Sequence, residues 1–215
     1  DYMSDVWYSS SYKVDIKQSG SGCAGNRFEN YKMQPLEFKY NKNFTGKLAD
    51  YGLTADRKSA SGIKAAVIRE KGCQCERETA YALYLAGFDV KDVHMTDLMS
   101  GRETLEDVNM IVFCGGFSNS DVLGSAKGWG GGFLWNDTAK KALENFYARK
   151  DTLSLGVCNG CQVMMELNLI APEHNKRIKM LHNDSHKFES QFVGVTIPEN
   201  NSVMFGALSG SKLGI

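Results

Sequence analysis

The stretch Leu155-Gly156-Val157-Cys158-Asn159-Gly160 decides how this chain is read. An apolar run, Leu153–Val157, enters a Gly-x-Cys-x-Gly turn, and Gly160–Leu167 continues with helical spacing. This is the thiol counterpart of the Gly-x-Ser-x-Gly nucleophile elbow. Such a turn is sharp, and small flanking residues let its backbone approach its neighbours closely. It leaves the side chain exposed above a sheet, at a helix N-terminus whose positive dipole end favours a thiolate. Cys158 is therefore the expected nucleophile; the bland alternative is a buried cysteine ending a strand.

Outward from the elbow, strands and helices alternate. Ile63–Ile68 reads as a strand, followed by a helix over Glu76–Ala86 with Ala80, Leu83 and Tyr84 on one face and Gly87 closing it. Phe88–His94 and Asn109–Cys114 read as two more strands. Asp137 stands where an N-cap belongs, ahead of Ala139, Ala142, Leu143, Phe146 and Tyr147 at helical spacing. Phe192–Ile197 alternates like a later strand or an antiparallel flap. The pattern predicts an α/β fold, a mostly parallel sheet between two helical layers, with the site at the C-terminal ends of its strands. Residues 1–61 are polar and punctuated by Ser9-Ser10-Ser11 and Ser19-Gly20-Ser21-Gly22. A helix over 5–17 or 23–32 fits there without a sustained apolar stripe, so the segment reads as a connecting tail before a domain at 62–215.

A second strand end carries Gly115-Gly116-Phe117-Ser118-Asn119-Ser120-Asp121. Consecutive glycines let backbone N–H groups turn toward one point, as an oxyanion hole requires; a plain flexible turn is the competing reading. Acyl transfer also needs a base, usually histidine. Only His94, His174, His182 and His186 are present, and none has a carboxylate at an obvious spacing. His94, ahead of Met95-Thr96-Asp97, reads as structural.

Composition narrows the classes. Among 215 residues, 25 Lys and Arg balance 25 Asp and Glu, which removes the electrostatic reason to expect nucleic acid or an anionic membrane. The longest apolar runs, such as Met110–Cys114, fall far short of the ~20 residues of a membrane helix. Six cysteines sit in strand-like or tight contexts rather than a disulfide framework, so a reducing, cytoplasmic setting is expected. Cys73-Gln-Cys75 lacks a second half for a zinc site, and no metal site is expected. Cys158 and Cys161 have the spacing of a redox pair, and that reading stays open.

At this level of detail the chain resembles the glutaminase region of large, single-chain phosphoribosylformylglycinamidine synthases, a class I, triad-type glutamine amidotransferase. The resemblance runs through Ala66-Val67-Ile68-Arg69-Glu70, Arg77-Glu78, Ala86–Val90, Val93–Leu98, Gly115–Ser118 with Asp121–Gly124, and Gly156–Gln162, with Asn183, Ser185, Phe188 and Glu189 beyond. It implies a flavodoxin-like αβα fold in which Cys158 attacks glutamine. N–H groups near Gly116 and Phe117, with that of Asn159, would hold the oxyanion. Ser118, Asp121, Gln162, Asn183 and Ser185 would line the glutamine site. Ammonia would pass to a synthetase domain of the same protein, where ATP and Mg2+ serve the formation of an amidine in purine synthesis; no cofactor is implied for the present residues. Relatives take their catalytic His and Glu from a His-Pro-Glu motif further along, and no His-x-Glu occurs here. The resemblance therefore implies a piece that lacks its base and turns glutamine over poorly. The Cys73–Cys75 loop departs from the Asn-Gly common in relatives. Competing expectations are a thiol hydrolase or chaperone of the same fold, and a Cys-x-x-Cys redox protein.

Overall fold

The computed structural model describes residues 2–33 and 36–215. They form two compact units, one built from the described residues within 1–46 and 181–215, the other from 47–180. In the first, helix α1 (Tyr2–Asn30) is broken at Gly20, whose φ of 78° and ψ of 162° lie outside helical space. The two arms fold back on each other. Tyr12 stacks on Phe28 at 4.8 Å and Tyr8 meets Tyr31 at 4.2 Å, while Asp15 pairs with Arg27 at 3.2 Å. Both candidate helices of the tail thus exist, held by aromatic and ionic contacts rather than an apolar stripe. In the same unit, strands β5 (Gly194–Thr196) and β6 (Lys212–Gly214) form an antiparallel pair, so the late strand is a flap and not part of the main sheet.

The second unit holds β1 (Lys64–Arg69), β2 (Asp89–His94), β3 (Met110–Phe113) and β4 (Leu153–Gly156), all parallel, in the order β2-β1-β3-β4. The register sets Arg69 beside His94, Ile68 beside Phe113 and Phe113 beside Gly156, so the four C-terminal ends finish along one edge. Ala66, Ile68, Ile111 and Phe113 are fully buried in one cluster with α3 (Met95–Ser100), α4 (Lys127–Leu134) and α5 (Asp137–Ala148). Helix α2 (Glu76–Leu85) packs on β1 and β2. The step from β1 to β2 runs opposite to the step from β2 to β3. Right-handed crossovers therefore place α2 on the other face, which gives the three layers.

Residues 47–61, expected in the connecting tail, fold onto this sheet unit. Arg57 donates to Asp89 Oδ1 and to the Phe88 carbonyl, both at 2.6 Å, and Tyr84 donates to the Arg57 carbonyl at 2.7 Å. The cap of α5 is Asn136 rather than Asp137: its side chain accepts the Ala139 N–H at 2.9 Å, and Asp137 begins the helix. Helix α4 was not legible, because it contains Gly128, Gly130, Gly131 and Gly132, each about 1 kcal/mol worse than Ala. Burial overrides that cost: Trp129 and Phe133, one turn apart, both pack edge-on against Phe113.

Candidate active site

Helix α6 (Asn159–Glu166) starts directly above the end of β4, with Cys158 as its N-cap. Cys158 has φ 53° and ψ −110°, a conformation costly for any residue with a Cβ. The surrounding contacts enforce it. The Val157 N–H donates to the Phe113 carbonyl at 3.0 Å, and α6 presses so closely on β3 that a Cβ on Gly160 would lie 1.9 Å from that same oxygen. With α6 pinned there, the chain turns within one residue, and the Cys158 side chain is left exposed. This is the elbow anticipated from the glycine spacing.

The neighbouring strand end supplies the second half. Gly116, with φ 124°, bridges Cys73 in an antiparallel contact. The Gln74 N–H donates to the Gly115 carbonyl at 2.8 Å and the Phe117 N–H to the Gly72 carbonyl at 2.9 Å. The Phe117 N–H is thus committed to that loop, whereas no described carbonyl accepts the N–H of Gly116 or of Asn159. The residues after this loop are strained: Asn119, Ser120 and Asp121 all have φ of 53–54°, and Ser125 and Ala126 follow at 46° and 57°. Strain of this kind collects at sites where geometry is held for function.

Asn159, 2% exposed, ties the two strand ends together. Its Oδ1 accepts the Ser118 N–H at 3.1 Å and its Nδ2 donates to Gln162 Oε1 at 2.8 Å. Sequence reasoning valued Asn159 only for its backbone. The side-chain role joins residues 41 positions apart, and no local pattern signals it. The Ser118 hydroxyl is buried without a partner among the described residues and lines a cavity of about 510 Å³. Glu70, Lys71, Asp121 and Lys127 share that lining, so charges of both signs surround the space.

The histidines of this unit stand away from Cys158, although His94 Nε2 lies 3.9 Å from Glu70 Oε1 in the cavity lining. His94 caps α3: its Nδ1 accepts the Thr96 N–H at 3.2 Å, and Asp97 accepts the His94 N–H at 3.1 Å. It ends β2, three strand spacings (about 14 Å) from the end of β4. His174 lines a groove with Glu166 and Asn168, at the far end of α6 from Cys158. Asn183, Ser185, His182 and His186 belong to the other unit. There the Ser185 hydroxyl donates to Glu189, which pairs with Arg27 at 3.2 Å, and Lys187 pairs with Asp15 at 2.5 Å. The Lys187 ammonium and the Ser19 hydroxyl hold the Asp15 carboxyl below its usual range.

Residues 62–215 match the family described as the CobB/CobQ-like glutamine amidotransferase domain. The chain belongs to this family. Among curated proteins, it is 36% identical over 100% of its length to "Probable phosphoribosylformylglycinamidine synthase, chloroplastic/mitochondrial" of Arabidopsis thaliana. It is 33% identical over 97% of its length to "Phosphoribosylformylglycinamidine synthase" of Drosophila melanogaster. The chain spans about 15% of the length of each of these relatives. A solved chain titled "Structure of PurLQS from Thermotoga maritima" is 26% identical with a TM-score of 0.54, over 72% of this chain and 65% of that one. For an amidotransferase domain, the exposed thiol on a strained elbow beside unengaged N–H groups is the arrangement that acyl transfer from a carboxamide needs. No helix among the described residues is long and apolar enough to cross a membrane.

Proposed function

We propose that this chain is the glutamine-hydrolysing part of a larger phosphoribosylformylglycinamidine synthase. The observation that carries the reading is the exposed Cys158 at a left-handed elbow, with the N–H groups of Gly116 and Asn159 left without carbonyl partners beside it. Cys158 Sγ adds to the carboxamide carbon of glutamine, and the oxygen that gains charge is met by those two donors. The C–N bond then breaks and ammonia leaves, giving a glutamyl thioester that water cleaves to glutamate. Phe117 contributes by fixing the loop rather than by donating, because its N–H is already engaged. The cavity beside Ser118 takes the amino-acid end of glutamine, a zwitterion suited to a lining that carries Glu70 and Asp121 with Lys71 and Lys127. Asn159 Nδ2 holds Gln162 Oε1 at 2.8 Å beside the elbow.

The ammonia serves a synthetase region of the same protein, where ATP and Mg2+ would activate the amide of a formylglycinamide ribonucleotide. Among the described residues no three His, Cys, Asp or Glu side chains are grouped to hold a metal ion, and no step here runs through one. An NMR titration with L-glutamine tests the reading. Amides of residues 116–118 and 159–162 should shift, and Ser118→Ala should weaken the effect. Shifts confined to other parts of the chain would refute it.

A further inference from the structure

Cys75 stands beside the nucleophile. A methyl group placed on Gly115 would sit 3.2 Å from Cys158 Cβ and 3.5 Å from Cys75 Sγ, so the two cysteine side chains converge on one buried glycine. Both are exposed. Both are also helix N-caps with left-handed backbones, Cys75 at φ 58° ahead of α2 and Cys158 at φ 53° ahead of α6, and neither side chain makes a capping bond. Two helix N-termini, each favouring negative charge, thus present free thiols to the same space. The other nearby thiols are engaged or shielded. Cys114 is fully buried, the Cys73 sulfur accepts the Glu70 N–H at 3.3 Å, and Cys161 is half-buried within α6.

We propose that Cys75 is a resolving thiol for the active-site cysteine, capturing Cys158 as a disulfide after a hydroperoxide has oxidised it. The inference rests on Cys158 being the nucleophile. In the first step the Cys158 thiolate attacks a peroxide oxygen, the O–O bond breaks, and hydroxide or alkoxide departs. The product is a sulfenic acid, and the peroxide has been reduced by two electrons. In the second step the Cys75 thiolate attacks the Cys158 sulfur, the S–O bond breaks, and the oxygen leaves as water after taking up a proton. The disulfide blocks attack on glutamine, so ammonia release stops under oxidising conditions. It also keeps Cys158 from the irreversible sulfinic state. An external thiol restores the nucleophile by exchange, since both sulfurs are accessible.

The test treats the chain with about a tenfold molar excess of hydrogen peroxide, alkylates the remaining thiols and maps disulfides by fragmentation mass spectrometry. The expected product joins Cys75 to Cys158. Dithiothreitol should then return the alkylation of Cys158 in the wild type. Recovery in Cys75→Ser and Cys75→Gly should be lower by about tenfold, with sulfinic acid at Cys158; the glycine variant suits the left-handed backbone and guards against misfolding. A bond from Cys158 to Cys161 or Cys73, or equal recovery in the variants, overturns the proposal. Labelling of the reduced chain by diazo-oxonorleucine is read in parallel. Failure there removes the nucleophile reading and this inference with it, whereas normal labelling without a Cys75–Cys158 bond removes the inference alone.

Discussion

Replacing Gly160 by alanine should be far more damaging than a single methyl suggests. The new Cβ would lie 1.9 Å from the Phe113 carbonyl oxygen, 2.5 Å from its carbon and 2.8 Å from the Phe113 Cβ. A normal contact is about 3.5 Å, so α6 must lift off β3 by more than an ångström. Phe113 cannot retreat, because it is fully buried between Trp129 and Phe133. Overpacking costs about 1–3 kcal/mol when side chains can adjust. Here the obstacle is backbone on both sides, which places the cost at or above about 3 kcal/mol. At about 2–4 °C per kcal/mol for a chain of this size, the melting temperature should fall by about 6–12 °C. Gly25→Ala supplies the control: it lies in α1 with nothing within 4 Å of its Cβ position and should be neutral or stabilising by up to about 1 kcal/mol. Thermal unfolding followed by tryptophan fluorescence reads both. A Gly160→Ala melting point within 2 °C of the wild type, taken as about 1 kcal/mol or less, would refute the packing on which the elbow geometry depends.

Other consequences concern acid stability, the tie between the loops and the histidines. Arg57, with the N–H groups of Ser61 and Gly62, lowers the Asp89 pKa from 3.8 to about 2. Its contribution is therefore complete above pH 3.8 and lost as pH falls through about 2. Asp89→Asn should flatten the acid-unfolding profile across that window, and an unchanged slope would contradict the clamp. Asn159→Ala strands the Ser118 N–H and Gln162 Oε1 and should cost about 1–3 kcal/mol in urea unfolding. It should also slow Cys158 labelling by a glutamine-like electrophile, since the loop carrying Gly116 is released; labelling at the wild-type rate would show that the tie is only structural. His94→Ala should cost about 1 kcal/mol as a lost helix cap and leave the labelling rate unchanged. A tenfold fall would mean that His94 acts on the thiol.

Much of the sheet unit was legible because its cues are local. The runs at Ile63–Ile68 and Asn109–Cys114 match buried parallel strands, and Gly156 and Gly160 announce a sharp turn around Cys158. Helix α4 was illegible because four glycines deny it intrinsic propensity, and only the burial of Trp129 and Phe133 forms it. The α1 hairpin was half visible: each arm reads as a weak helix, but the reversal at Gly20 depends on Tyr12–Phe28 and Asp15–Arg27 contacts made across the turn. At the site, residue types were readable while commitments were not. Phe117 and Gly116 are adjacent in sequence, yet only the structure shows that one N–H is taken by Gly72. Cys75 likewise looked like half of an abandoned metal motif, and only the approach of α2 to Gly115 sets it beside Cys158.

On the proposed function, Cys158 is a nucleophile shaped for glutamine. Mass-spectrometric localisation of the diazo-oxonorleucine adduct on the reduced chain tests it most directly. The adduct should form on Cys158, be suppressed by L-glutamine and be absent in Cys158→Ala. An adduct on another cysteine, or equal labelling of Cys158→Ala, would contradict the account.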